Sequence, residues 1–203
     1  MSRRLTVVDG RSQRSIETRR ALEQAAIALF VEQGYDRTTI DDIATAAGVS
    51  ARTFFRHFDA KEDVLIGDQG EMRQRLARCF SSRPDEEPVL TCVREALMAF
   101  AAEYEDERDD HLRRARLSWS VPSVAARSAE LRRPWEELIT DLCARRLGVD
   151  ARLDLRPLLI ARATLAALET ALQWWMLHDG KPALPTLIAS TLDLLQTDFG
   201  VDA

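Results

Sequence analysis

Between Thr38 and Phe58 the chain reads TTIDDIATAAGVSARTFFRHF, and the chemistry-bearing residues concentrate there. Arg52 and Arg56 sit with Ala51, Thr53 and Phe55 on a short segment that follows Gly48-Val49-Ser50. Arginine can pair with guanine in a fork, and Ala or Thr methyls can touch the thymine methyl group, so these residue types suit a DNA major groove. Thr39 and Ser50 stand where hydroxyls and free helix N–H groups hold phosphates, with His57 and Lys61 close behind. Bond-making chemistry has no comparable pattern. The three histidines (His57, His111, His178) fall in no G-x-S-x-G, HExxH or P-loop context, and Asp41 and Asp42 are adjacent on a helix and point apart. Cys79, Cys92 and Cys143 form no CxxC pair, which leaves reduced thiols and no metal signature. No catalytic residue, metal ligand or cofactor is expected.

The elements that must position these groups read as helices. Leu22, Ala25, Ala26, Leu29 and Phe30 make one apolar stripe from Ser15 to Gln33, and Gly34 ends it. A second helix opens at Thr38 or Thr39. Asp42 stands three residues after Thr39 as in a capping box, and Ile40, Ile43, Ala44 and Ala47 face inward. Ser50 caps a third helix running to about His57, with Phe54 and Phe58 on one face. Two short helices joined by a glycine turn predict a helix-turn-helix, with Ala44 small at the close approach. Asp59, with Glu62 three later, is expected to cap a fourth helix reaching Phe80. Lys61 in its first turn is a cation where the helix dipole prefers an acid, which suits a nearby phosphate.

Charge is distributed unevenly over the 203 residues, whose net charge is −5. Residues 1–20 hold Arg3, Arg4, Arg11, Arg14, Arg19 and Arg20 against Asp9 and Glu17. The predicted organisation is a basic, mobile arm over 1–14, a DNA-binding domain over 15–62 and a helical body over 63–203. SSRPDEEP at Ser81–Pro88 is the clearest break within the chain. About nine helices and no strand are expected, an all-α fold. A kink or break is expected near Pro134, the acidic run Glu105–Asp110 reads as a solvated corner, and the last helices span Leu155–His178 and Leu184–Phe199. No stretch is apolar enough to cross a membrane, and no apolar segment follows the charged start, so a cytoplasmic location is expected.

Over Ala25–Leu65, about a fifth of the chain, the sequence strongly resembles the TetR family of transcriptional regulators. Gly34-Tyr35-Asp36, the Thr-Thr opening, DIA, AAGVS, the Thr53–Phe58 block and KEDVL stand in order and register. The resemblance implies a three-helix DNA-binding head, a ligand-binding and dimerising helical body, and repression relieved by a small molecule. It places Ser50, Arg52, Thr53 and Arg56 at base- and phosphate-reading positions, and Thr39, His57 and Lys61 at phosphate-holding ones. One residue departs: the aromatic before the Arg-His-Phe run is often tyrosine in the family, and Phe55 cannot donate to a phosphate.

ARLSWSVPS (Ala115–Ser123), the Trp135–Leu147 region and LRPLLIARATLAALETALQWWM are similar to a subgroup whose body binds acyl-CoA-like ligands. That implies an apolar or acyl-type effector, with Phe100, Tyr104, Arg116, Trp119, Trp135, Leu138, Leu168 and Trp174 as candidate contacts. It also implies a homodimer through the last two helices on a pseudo-palindromic operator. Arg113 and Arg116 share a helix face; surface salt bridges are the expected role, with a jointly held anion as the alternative. Trp174 and Trp175 cannot both face one side of a helix. The alternatives are a helical acyl-thioester enzyme or a protein-interaction module that binds no DNA.

Overall fold

The structure is a computed structural model that describes residues 10–102, 104–105 and 107–197. Residues 1–9 of the expected arm, and Phe199 at the expected end of the last helix, lie outside them. The described residues form eleven α-helices and no strand: α1 (Gly10–Gln33), α2 (Ile40–Ala46), α3 (Ala51–His57), α4 (Asp63–Ile66), α5 (Gln69–Ser81), α6 (Val89–Ala102), α7 (Arg108–Ser120), α8 (Pro122–Glu130), α9 (Arg132–Leu147), α10 (Arg156–Leu177) and α11 (Leu184–Thr197). Two breaks account for the difference from the expected nine. Gly67, at φ 82°, ends α4 and starts the separate α5. Leu131 interrupts the 122–147 stretch so that Pro134 falls in the first turn of α9, where its missing N–H costs no helical bond. The first helix starts at Gly10 rather than Ser15, so residues 10–14 of the expected arm are helical.

Two compact units result. The first comprises residues up to Gly67 together with Val121–Val124; the second holds the remainder. The head therefore extends past the expected boundary at residue 62, because α4 buries Val64 and Leu65 in the first unit. That unit's core is Leu22, Ala26 and Phe30 from α1, Ile43 and Ala44 from α2, Phe54 and Phe58 from α3 with its cap, and Val124. Phe54 is wholly buried between Phe55, edge-on at 5.6 Å, and Phe58 at 5.3 Å. Truncating a phenylalanine in such a place costs about 3–5 kcal/mol.

The second unit is built on α5, α6, α9, α10 and α11. Leu97, Phe100, Ile139, Cys143, Ala161, Trp175 and Ile188 are among the residues of one continuous core. α7 starts earlier than Leu112, and Asp109 and Asp110 complement its N-terminal dipole. Glu105, expected in a solvated corner, instead accepts from the Leu184 N–H at 2.9 Å and supplies the cap that α11 lacks in its own sequence. Trp175 is buried and Trp174 is 51% exposed, as their adjacency requires. Cys79, Cys92 and Cys143 are free thiols; burial pushes Cys143 up to about 12, so it stays protonated.

Candidate nucleic-acid interface and effector pocket

The reading head is made by local hydrogen bonding around two helix N-termini. Thr39 Oγ1 accepts from Asp42 N at 3.1 Å while Asp42 Oδ2 accepts from Thr39 N at 2.9 Å, a reciprocal capping box with aspartate in place of glutamate. The Thr39 hydroxyl, which donates to Asp42 Oδ2 at 2.7 Å, and then the Thr39 N–H hold the Asp42 carboxyl below the usual carboxylate range. Gly48 turns the chain at φ 69°, and Val49 N donates to Ala44 O at 2.9 Å to close the turn. Ser50 Oγ then accepts from Thr53 N at 3.2 Å and lies 3.0 Å from Thr53 Oγ1. The capping hydroxyl of Ser50 and the side chain of Thr53 thus fix the start of α3.

With Phe54 buried, α3 turns a continuous edge outward. Arg52, Phe55 and Arg56 are exposed, and Ala51, Thr53 and His57 are half-buried beside them. Phe55 is 54% exposed, a large apolar ring that meets Phe54 edge-on and leaves about half of its surface to solvent. Thr39 and Ser50 are exposed at the two N-termini. The structure therefore brings Thr39, Ser50, Ala51, Arg52, Thr53, Phe55, Arg56 and His57 to the head as the sequence arranged them. Burial, then Arg56 and Arg19, depress the His57 imidazole below its ordinary value.

Lys61 is engaged differently from the sequence expectation. It precedes α4 and does not occupy a helix's first turn, because Asp59 does not cap a helix; Asp63 Oδ2 accepts from Ala60 N at 3.0 Å instead. The Lys61 ammonium donates to Tyr35 O and Thr38 O, both at 2.9 Å, and lies 4.0 Å from the Tyr35 ring centroid. It joins the corner after α1 to the chain leading into α4, which leaves one N–H for a phosphate. Thr38 is buried in that corner, its hydroxyl donating to Gly34 O at 2.8 Å. The Tyr35 hydroxyl is buried without a hydrogen bond of good geometry, although Ser123 and Glu62 approach it closely.

Sequence reasoning missed Arg19. The sequence shows it only as one of six arginines in residues 1–20, yet its guanidinium donates to His57 O at 2.7 Å and covers the Phe58 ring at 4.3 Å. It thereby ties α1 to the C-terminus of α3, where a cation also meets the helix dipole favourably. The contact spans 38 residues, so no local spacing announces it.

The pocket candidates divide into two groups. Phe100, Tyr104 and Trp135 come together, with ring centroids 5.7 Å apart for Phe100–Tyr104 and 6.3 Å for Phe100–Trp135. Leu138 and Leu168 pack partly buried on the same core. Trp135 Nε1 donates to Gln69 Oε1 at 2.7 Å, which fixes its ring. Trp119 and Trp174 do not join them: they are 53% and 51% exposed. Nor does Arg116, whose guanidinium is spent on Met176 O at 3.0 Å and Asp179 Oδ1 at 2.5 Å at the end of α10. Arg113 pairs with Asp110 at the surface, so it does not share an anion with Arg116. An apolar cleft among Leu76, Phe80, Val93, Leu97, Ile139, Leu142 and Thr164 offers only about 10 Å³, room for roughly one water. Among the described residues no His, Cys, Asp and Glu group could hold a metal, and no helix is long and apolar enough to cross a membrane.

Comparison with known proteins agrees with this architecture. The family model for bacterial regulatory proteins of the tetR family matches residues 23–66, and that for the MftR C-terminal domain matches residues 87–200. The mycofactocin biosynthesis transcriptional regulator MftR of Mycobacterium tuberculosis is 29% identical over 86% of this chain and 87% of its own. The HTH-type transcriptional regulator TcmR of Streptomyces glaucescens is 30% identical over 91% and 85%. Among solved structures, the repressor FadR of Thermus thermophilus in complex with lauroyl-CoA shares the fold at a TM-score of 0.58 and 24% identity, over 91% of this chain and 96% of that one. The matched families and relatives are regulators of transcription, which answers the alternative of a thioester-cleaving enzyme. With a capped helix-turn-helix in the first unit and the MftR-type body in the second, the chain belongs to the TetR family of transcriptional regulators.

Proposed function

We propose that this protein is a ligand-responsive, homodimeric repressor acting in the cytoplasm on a pseudo-palindromic operator. One observation carries the DNA part: α3 turns Arg52, Phe55 and Arg56 outward together while Ser50 and Thr39 cap the two helices beside them. Arg52 and Arg56 supply forked donors for bases or phosphates. Ala51, Thr53 and Phe55 offer apolar contact to thymine methyls or sugar. Two such heads on successive major grooves must stand about 34–36 Å apart.

The dimer reading is supported by the outer face of α10. Leu155 at its N-cap and Leu159, Ala166, Thr170, Trp174 and Leu177 are exposed at helical spacing, with Arg162, Glu169 and Gln173 exposed among them, and Leu194 and Leu195 are exposed on α11. Exposed leucines and a tryptophan recurring along one helix suit a face that a second subunit covers, and the small Ala166 and Thr170 suit close helix approach. For the effector, FadR from Thermus thermophilus is in complex with lauroyl-CoA, and the MftR-type body here collects apolar side chains around Phe100 and Trp135. An apolar or acyl-type effector that prefers a dimer with a different head spacing lowers DNA affinity by its differential binding energy.

The experiment is fluorescence anisotropy of labelled upstream DNA with heparin competition and a salt series, repeated with lauroyl-CoA. Binding that weakens steeply with salt, survives heparin and is reversed by the thioester supports the proposal. No binding to any duplex at low salt contradicts it.

A further inference from the structure

We infer that Arg19 of α1, outside the helix-turn-helix, is a positioning residue for DNA reading: its guanidinium clamps the C-terminal end of α3 and thereby aims the Arg52–Arg56 edge, without contacting DNA itself. This rests on the reading of that edge as the DNA-binding surface and adds what holds it in register.

α3 has seven residues, Ala51–His57. A helix this short has no stability of its own and takes its direction from whatever grips it. Its N-terminus is gripped locally, by the Ser50 cap and by Val49 N donating to Ala44 O. Its middle is anchored by the wholly buried Phe54. Its C-terminus ends in carbonyls that have no partner within a regular helix. Phe54 O accepts from Phe58 N at 3.0 Å, and His57 O accepts from Arg19 Nη1 at 2.7 Å. α1 packs on α2 and α4, and α3 packs on α2, so the Arg19 bond is a direct tie from α1 to the far end of α3.

One guanidinium is engaged three ways. Nη1 holds His57 O, Nε lies 3.3 Å from Glu23 Oε1 one turn along α1, and the central carbon stands 4.3 Å from the centroid of the Phe58 ring. That ring packs in turn on Phe54 at 5.3 Å. The side chains of Arg19 and Glu23 are only 20% and 14% exposed, so the charge is committed inside the head, whereas Arg20 beside it is exposed. The grip has leverage. At about 1.5 Å per residue α3 is about 10 Å long, and a tilt of about 10° moves its far end by about 2 Å. Hydrogen bonds to base edges tolerate far less, since donor and acceptor must lie about 2.7–3.2 Å apart. The attraction of a basic head to the phosphate backbone does not depend on that register. Losing Arg19 therefore erodes discrimination between sequences before it erodes binding.

The test is fluorescence anisotropy of the parent, R19Q and R20Q on the labelled upstream duplex and on a scrambled duplex of equal length and composition, across a salt series, with thermal unfolding of each variant. R19Q is expected to lose at least about tenfold of the parent's preference for the upstream duplex while its salt slope stays the same. R20Q, which deletes the same charge from the next residue, keeps that preference. Lower stability alone reduces both affinities through the folded fraction and leaves their ratio as it was, so the ratio separates aiming from support. If R19Q does not fold, R19K is measured in its place: lysine keeps the charge but not the planar fork, and a smaller loss of preference is expected. Preference retained in R19Q, or in R19K as its substitute, overturns the inference. So does an equal loss in R20Q, or a salt slope smaller by about one, which makes Arg19 a phosphate contact. A parent that binds neither duplex, or both equally, contradicts the DNA-reading surface itself, and the positioning role falls with it.

Discussion

Replacing Lys61 by methionine separates two roles that the sequence alone cannot distinguish. Its ammonium donates to Tyr35 O and Thr38 O at 2.9 Å each and lies over the Tyr35 ring. A hydrogen bond from a charged donor contributes about 1.5–3 kcal/mol. Lys61 is only half-buried, so solvent screening trims the pair to a total near 2 kcal/mol, of which the ring contact is a part. Methionine retains the stem but leaves two carbonyls of the α1–α2 corner without their donor. For a chain of this size about 2 kcal/mol lowers Tm by roughly 4–8 °C. The assay is thermal unfolding of K61M without DNA, followed by anisotropy titrations across salt. A clear fall in Tm, with a salt slope close to that of the parent, is the predicted pair of results. An unchanged Tm with a slope smaller by about one would refute the structural role and return Lys61 to phosphate binding.

Three further predictions concern the outward edge of α3. Arg52→Ala costs about 1–3 kcal/mol on the operator and less on random DNA if the side chain reads a base; equal loss on both assigns it to phosphates. Phe55→Tyr restores a donor at the edge and tightens specific and non-specific complexes alike by about 1 kcal/mol, roughly fivefold, in the same titration; no gain shows that this ring does not face the backbone. His57 has a depressed proton affinity in the free head, and an adjacent phosphate raises it, so complex formation takes up a proton. DNA affinity therefore rises as pH falls from about 8 to 6, and His57→Gln flattens the profile; a parent profile already flat over that range places His57 away from phosphate.

Much of the head was legible because its determinants are local. The Thr39–Asp42 box, the Gly48 turn and the Ser50 cap each act within three or four residues, and their types announce them. The outward edge of α3 followed once Phe54 was assigned to the core. Where the reading failed, the cause was competition between local signals or contact across sequence. Asp59 and Glu62 look like a cap, but Gly67 cuts the helix to Asp63–Ile66 and Asp63 takes the Ala60 N–H. Arg19 reads only as one of six arginines in residues 1–20 because its partner, His57 O, is 38 residues away. In the body, composition marked the aromatics without marking their direction. Phe100, Tyr104 and Trp135 converge, while Trp119 and Trp174 face outward and Arg116 closes the end of α10.

The most direct test of the account is sedimentation of the full chain with a fluorescent upstream duplex, reading chains per duplex at low salt. Two chains on each duplex, abolished together by Arg52→Ala with Arg56→Ala but retained by R113Q, is the predicted result. A single subunit that sediments apart from every duplex offered contradicts it.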